Sequence, residues 1–268
     1  NKNLKWRYKD DEGNIRVVEE VEFDNEEMVE KFNRGWMPDS DWYREQCSIL
    51  HNDKRLINQE LLSKFDGSGN NVIDFEHIMR HEQKYVCEPI RTECNGDMWI
   101  FEDPIEEHQY CAFQDVGTSE GVDYSSLQIV NITTGVQAAE FVGKRRSEVL
   151  AEIINDYCNR YKALTNVDTT GGYGDNVMTD LGNLNFKLLV KDENGDAKGF
   201  KFSGITRPKV FERFVTYVEG DSIKIKSIRT ITELKTFIWH NGRPDHMRGF
   251  NDDAITALAG AIWVYETN

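Results

Sequence analysis

Asp115, Asp168 and the adjacent pair Asp252-Asp253 each stand at an edge of an apolar stretch, where an ionised carboxylate is costly to bury. Asp115 lies at the end of the run that begins at Tyr110, and Asp168 lies near the far end of Ala163–Thr170. Asp252-Asp253 opens an Ala-rich run that reaches Tyr265. Taken singly, each has an ordinary role, since Asp at a strand end caps a turn and Asp at a helix start caps the helix. Brought together, three or four carboxylates cannot all stay ionised within a few ångströms without cations. Hard divalent ions with oxygen ligands, Mg²⁺ or Mn²⁺, are the natural partners. Two such ions about 3.5–4 Å apart activate water and stabilise the leaving oxygen of a phosphodiester.

That chemistry needs elements that carry all these carboxylates to one rim. Tyr110–Asp115 and the run from Ser125 to Asn131 read as a hairpin around a glycine-bearing turn. Val136–Val142 follows as a third strand. Ser147–Tyr161 then places Val149, Leu150, Ile153, Ile154 and Tyr157 at helical spacing, with Ser147 as the cap. Ala163–Thr170 gives a fourth strand. If it lies beside the first and parallel to it, the crossover is normally right-handed, and Asp115 and Asp168 share one sheet edge. The carboxyl edge of such a sheet is where ligands collect.

Downstream, Asp175–Leu184, Arg207–Val218 and Thr230–His240 read as helices, with Pro208 in the first turn of the second. Ser222–Lys226 reads as a short strand and Arg243–Phe250 as a loop. Phe186–Lys191 and Gly199–Phe202 flank Asn194-Gly195, a hairpin signal, whose acidic tip would border the cleft and repel phosphate. Asp252–Tyr265 is apolar nearly all round and should be a buried helix, its two acids placed where the helix dipole favours negative charge.

Upstream, Lys5–Lys9 and Ile15–Phe23 suggest two strands, and 24–33, 41–50 and 53–65 suggest helices. His77 and His81 stand at i, i+4 on a further helical stretch and read as a surface pair. Met98–Phe101 is a short strand. The domain reading is an acidic N-terminal region with lead-in helices over 1–103 and a catalytic core over 104–268.

The 268 residues are 39% hydrophobic and 11% aromatic, enough for a substantial core. No apolar run approaches the roughly 18 residues of a membrane span. The chain begins Asn1-Lys2-Asn3 without an apolar leader, so the expectation is a piece of a longer polypeptide with no export signal. Its five cysteines lack Cys-x-x-Cys spacing and read as free thiols of a reducing cytoplasm. A net charge of −15 argues against indiscriminate nucleic-acid binding. The charge is uneven: residues 1–110 hold 14 Lys+Arg against 26 Asp+Glu, whereas 199–250 hold 10 against 5. Candidate phosphate contacts are therefore Arg207, Lys209, Lys224, Lys226 and Arg229.

In order and spacing, these pieces resemble the nuclease domain of the large terminase subunit, the DNA-packaging motor protein of tailed bacteriophages. The residues that carry the resemblance are Tyr110, Asp115-Val-Gly, Gly121-Val-Asp123-Tyr-Ser-Ser and Val167-Asp168-Thr-Thr-Gly, followed by Arg207-Pro-Lys209, Ile231–Phe237 and Gly249-Phe-Asn-Asp252-Asp253-Ala-Ile. Trp42-Tyr-Arg-Glu-Gln and Glu60–Gly69 resemble the segment that leads into that domain.

The resemblance implies an α/β, ribonuclease-H-like fold with a mixed central β-sheet flanked by helices. It implies a metal-dependent endonuclease that cuts double-stranded DNA concatemers during viral genome packaging, largely without regard to sequence. Asp115, Asp168 and one of Asp252 and Asp253 would hold the ions, with Asp123 as an auxiliary ligand or a turn cap. Relatives sometimes carry Glu where this chain has Asp168. They carry His where it has Asn251, and His246 reads as a loop histidine. The implied partners are an ATPase motor domain of the same polypeptide, the viral portal and the small terminase subunit, at the procapsid in the host cytoplasm. No Gly-x-x-x-x-Gly-Lys-Ser/Thr loop occurs in the sequence, so this stretch should not hydrolyse ATP. A junction resolvase or strand transferase of the same fold, and a catalytically idle docking module, are the alternatives.

Overall fold

The computed structural model describes residues 6–10, 14–18, 36–38, 45, 48–49, 71–117, 123–240 and 242–268. The chain divides into two compact units, Asn1–Ser68 and Gly69–Asn268. In the first, β1 (Trp6–Lys9) pairs antiparallel with β2 (Ile15–Val18) and with β3 (Met37–Pro38). Asp10 fixes the connection between β1 and β2, its carboxylate accepting from the Asn14 amide and from Arg16 Nε, both at 2.8 Å. The helices expected at 24–33, 41–50 and 53–65 lie outside the described residues, apart from Glu45, Ser48 and Ile49, which are helical.

In chain order, the second unit comprises α1 (Phe75–Tyr85), β4 (Arg91–Glu93), β5 (Met98–Ile100), β6 (Tyr110–Asp115), β7 (Ser125–Asn131) and β8 (Val136–Gly143). Next come α2 (Ser147–Tyr161), β9 (Leu164–Val167), α3 (Asp175–Asn183), α4 (Thr206–Glu219), α5 (Ile228–Lys235), β10 (Phe237–His240), β11 (Arg243–His246) and α6 (Asp253–Thr267). A mixed sheet runs in the order β4-β5-β8-β7-β6-β9. Its neighbours are antiparallel except β6 and β9, which are parallel and joined through α2. Met98 pairs with Phe141, so β5 belongs to the same sheet as the site-bearing strands. The second unit, which begins at Gly69, thus holds β4 and β5 as well as the strands from β6 onward.

Period-two alternation sends successive β6 side chains to opposite faces. Tyr110 and Ala112 join a core with α2 and α3, built from Leu150, Ile154, Tyr157 and Leu181. Cys111 and Phe113 join a second core with α4, α5 and α6, built from Phe211, Phe214, Leu234, Leu258 and Ile262. Burial on both faces explains why these strands read as continuous apolar runs. Helix α6 is buried along ten of its residues. It packs on β6 so closely that a Cβ on Gly260 would lie 2.4 Å from Cγ of Phe113.

A buried carboxylate fastens α5 to the sheet. Glu140, fully buried on β8, accepts from Ser227 Oγ and Thr230 Oγ1 at 2.6 Å each and from Gln128 Nε2 at 3.1 Å. Those bonds offset the cost of removing the group from water.

Five local expectations change. The helix expected over 230–240 ends at Lys235, and Phe237–His240 instead pairs with Arg243–His246 as an antiparallel hairpin. The residues between those strands are Asn241-Gly242, a two-residue loop sequence that favours such hairpins, and Gly242 has φ 75°. Arg243–Phe250 is accordingly part strand rather than all loop. Ser222–Lys226 makes only a single parallel bridge, Lys224 to Val136. The flanks of 192–196 meet at one bridge, Lys191 to Ala197, and otherwise bond to β9 and the residues after it: Val190 donates to Thr165 O, and Phe200 to Val167 O. His81, finally, is fully buried, with Nε2 2.9 Å from Val218 O and 3.3 Å from Asp221, and is no surface residue.

The Gly260–Phe113 contact is testable by overpacking, which typically costs about 1–3 kcal/mol. Gly260→Ala should lower stability by that amount in denaturant melts, and adding Phe113→Leu should recover part of the loss. Simple additivity of the two changes would contradict the contact.

Candidate metal centre

The parallel register of β6 and β9 builds the first half of the site. The last paired residues are Gln114 and Val167, and one position further the chains present Asp115 and Asp168. The Asp168 amide donates to Gln114 O at 2.8 Å, which holds the two strand ends together. Asp168 Oδ1 accepts from the Thr170 amide at 2.7 Å and from Thr170 Oγ1 at 2.5 Å. Thr170 Oγ1 in turn accepts from the Phe202 amide at 2.8 Å. A Cβ on Gly174 would lie 2.0 Å from Asp168 O, so only glycine lets the chain entering α3 pass this close.

Helix α6 supplies the second half. Asp252 occupies its cap position, yet its side chain makes no cap hydrogen bond. Glu233 Oε2 instead accepts from the Ile255 amide at 3.1 Å, which leaves the Asp252 and Asp253 carboxylates to face the cavity. Asp252 Oδ2 is 2.6 Å from Arg207 Nη2, and Oδ1 is 3.2 Å from His246 Nδ1. The ordinary role of a helix cap is thus filled by a residue outside the pair.

All five acids named from the sequence line one cavity of about 630 Å³: Asp115, Asp123, Asp168, Asp252 and Asp253. Lys144, Arg207, His246, Thr170 and Tyr173 line it with them. Burial, then the fields of Asp168, Asp253 and Asp252, hold the Asp115 carboxyl well above the usual range, against the pull of Arg207. Burial also raises Asp168, with Thr170 opposing. Asp253 is pushed up to about 6 by burial and by the charge of Asp252. Burial acts upward on Asp252 too, but His246 and Arg207 outweigh it and hold that group below its ordinary value. The converse effect raises His246, through its hydrogen bond to Asp252. In physical terms, the cluster carries more negative charge than its own cations neutralise.

Of the five basic residues named as phosphate contacts, the structure brings Arg207 alone into this cavity. Lys209 is exposed on α4. Lys224 Nζ donates to Thr134 O at 2.9 Å, beside the start of β8 and at the opposite end of the sheet from Asp115. Lys226 continues that segment, its amide donating to Gln137 Oε1 at 2.8 Å. Arg229 stacks 3.6 Å from the Trp99 ring centroid and donates to Gly96 O and Asp97 O, so it ties α5 to the loop before β5.

Two residues at the site, Glu233 and Lys144, escaped the sequence reading, and a third, His246, was read as a loop histidine. Glu233 is buried and raised well above its ordinary value by desolvation, and its spacing on α5 gave no hint of that. His246 sits on β11 rather than in a loop, with ligand atoms of Asp245, His246 and Asp252 all within 4.8 Å of one another. Lys144 follows β8, which in a meander returns to the edge where β6 ended. That direction was the signal that could have located it.

No protein-family model matches the sequence, and no curated protein matches it. The fold does have matches. The large terminase nuclease of thermophilic phage G20c aligns with a TM-score of 0.56 and 18% identity, over 72% of this chain and 98% of that one. This chain has the mixed α/β fold of the phage large terminase nuclease domains. The same G20c nuclease with bound magnesium aligns equally well, with a TM-score of 0.56 over 72% of this chain and 96% of that one, at 18% identity. The Thermus phage P74-26 large terminase nuclease domain gives a TM-score of 0.53 at 16% identity, over 69% of this chain and 93% of that one.

The elevated Asp253 has a stability consequence of definite sign. Its folded value of about 6 lies above the ordinary 3.8, so its contribution to folding is fully present at pH 3 and lost as pH rises through 6. Without divalent ions, Asp253→Asn should therefore melt several degrees above wild type at pH 7 and close to it at pH 4. Equal melting temperatures at pH 7 would show that Asp253 is not strained.

Proposed function

We propose that this protein is a divalent-metal-dependent endonuclease that cuts double-stranded DNA during viral genome packaging. The observation that carries the reading is the meeting of Asp115, Asp168 and Asp253 in one cavity, under-neutralised, at the carboxyl edge of a parallel strand pair. The nuclease folds it resembles, one of them holding magnesium, support the same conclusion.

The donor set fits hard divalent ions. It is built of half-buried carboxylate oxygens whose proton affinity is raised first by burial and, at Asp115 and Asp253, also by neighbouring carboxylates. Mg²⁺ or Mn²⁺ suits such oxygens better than softer ions. A pair of these ions would supply a nucleophilic water at neutral pH and charge neutralisation at the scissile phosphate. Asp115, Asp168 and Asp253 are the residues we assign to hold them, with Asp123 at the rim as auxiliary.

The chain's own residues do the remaining work. Thr170 locks the Asp168 carboxylate, and Glu233 anchors the first turn of α6, so the acids are presented on rigid supports. Lys144 lines the acid cavity, and Arg243 lines the adjoining cavity of about 290 Å³ that shares Asp168, Thr170 and Arg207 with it. A DNA strand crossing the acids from Lys144 to Arg243 would meet a cation on either side. Contacts of this kind go to phosphates and carry no base information, so cleavage is largely independent of sequence. The convergence of the acids favours an active enzyme over an idle docking module. A motor domain of the same polypeptide, the portal and the small subunit complete the proposed setting, at the procapsid in the host cytoplasm. No helix among the described residues is long and apolar enough to cross a membrane.

Plasmid nicking with Mn²⁺ tests the assignment. Asp115→Asn and Asp168→Asn should each lower the rate by at least about 100-fold, the scale of losing one electrostatic participant, while circular dichroism stays native. Wild-type rates in both would refute the nuclease reading. The DNA path is tested separately by anisotropy on a duplex. Lys144→Glu and Arg243→Glu should weaken binding and flatten its salt dependence by about one unit each, whereas Lys224→Glu, at the far end of the sheet, should leave both unchanged. The opposite ranking would return the DNA to the 222–229 segment.

A further inference from the structure

Arg207 is placed where a cation is needed. Its Nη2 lies 2.6 Å from Asp252 Oδ2, its Nε lies 3.4 Å from Pro244 O, and its guanidinium rests 4.8 Å from the Phe211 centroid and 5.6 Å from that of Phe202. Neither partner is sealed in, the side chains being 28% and 17% exposed. With His246 on Oδ1, both oxygens of Asp252 are engaged by the protein itself. Among the described residues, no side-chain partner of this kind is found for Asp253. Arg207 also lines both cavities along the proposed DNA path.

We propose that the Arg207–Asp252 pair is an exchange contact that couples cation binding to DNA binding. In the metal-free cleft the guanidinium neutralises Asp252. A divalent cation at the acid cluster repels the guanidinium and takes over the neutralisation. The freed guanidinium then turns on its aromatic bed toward a non-bridging phosphate oxygen of the strand, a geometry that arginine matches with paired N–H donors. Each ligand thereby favours the other, because coupling between sites is reciprocal. The proposal rests on the nuclease reading and adds to it a reason for Asp252 to stand beside Asp253.

Calorimetry with Mn²⁺ in the absence of DNA, and anisotropy on a DNA duplex with either chelator or non-cleaving Ca²⁺, test it together. Arg207→Gln keeps most of the packing on Phe202 and Phe211. It should bind Mn²⁺ about five- to tenfold more tightly than wild type, the range of a typical coupling, and should gain less DNA affinity than wild type does when Ca²⁺ is added. Arg207→Lys, which keeps the charge, should stay near wild type for Mn²⁺. Should Arg207→Gln fail to fold, Asp252→Asn carries the test. In chelator it should bind DNA more tightly than Asp253→Asn does, since both remove one acid but only the first releases Arg207. Unchanged or weaker Mn²⁺ binding by Arg207→Gln, or equal DNA affinities for the two Asn variants, overturns the exchange and leaves the nuclease intact. A wild-type protein that neither binds Mn²⁺ nor nicks plasmid overturns both.

Discussion

Everything at the site depends on the register between β6 and β9. Pairing of Cys111 with Leu164 through Gln114 with Val167 brings Asp115 and Asp168 to the same level of one sheet edge. Side chains alternate between faces along a strand, so a slip of one residue would send one carboxylate to the wrong side. The slip is opposed by burial on both faces: Ala112 is locked among α2 and α3 contacts, and Phe113 beneath Gly260 of α6. A two-sided core therefore does more than stabilise the sheet. It fixes the separation of two groups that repel each other.

Burial of these acids, with the repulsion added to it, is a standing cost to the fold. Asp115, Asp168 and Asp253 all hold their protons more tightly than free carboxyls do, which means the folded state disfavours their ionised forms. The surrounding structure offsets the strain in ways unrelated to the acids. The Glu140 network secures α5, the aromatic cluster of Phe113, Phe200 and Phe202 closes the space beneath the site, and the apolar length of α6 is buried along most of its turns. Functional sites are commonly strained in this manner and supported elsewhere. Glu233 shows the same logic in small, since a buried acid serves as the helix anchor so that the acids at the helix start need not.

Elements whose periodicity had one interpretation were legible in the sequence. Val149, Leu150, Ile153, Ile154 and Tyr157 fit a helix and no strand, and α2 spans the expected residues. The three-strand meander and the Ala-rich final helix were equally plain. Ambiguity began where one spacing served two structures. Leu234, Phe237 and Ile238 suit the inner face of a helix, yet Phe237–Trp239 also suits a half-buried strand, and the Asn241-Gly242 loop decided the matter in favour of the strand. The positions of Asp115 and Asp168 were legible because strand ends announce themselves in sequence. The basic residues were not, because a count of charge along a segment ignores which end of a sheet that segment reaches. Lys224 and Lys144 flank the same strand, β8, and only its direction separates the far end from the cleft.

The distribution of charge also bears on how such a cleft would meet DNA. A net charge of −15 and five carboxylates in one cavity oppose a polyanion, and the described cations at the cleft are few. On the nuclease reading, the described cations lining the two cavities, Lys144, Arg207 and Arg243, would attract a strand only over a short range, because screening confines surface charges to about 8–10 Å at ordinary ionic strength. On that same reading, divalent ions at the acids would neutralise the acidic patch itself, so the cation that the chemistry requires would also make the surface hospitable to phosphate. On the nuclease reading, an isolated cleft of this kind holds DNA weakly until ions arrive, and a partner that grips the duplex elsewhere raises its local concentration by proximity alone. On that reading cutting requires both delivery of the strand and occupancy of the acids, and the register of β6 and β9 is where they meet.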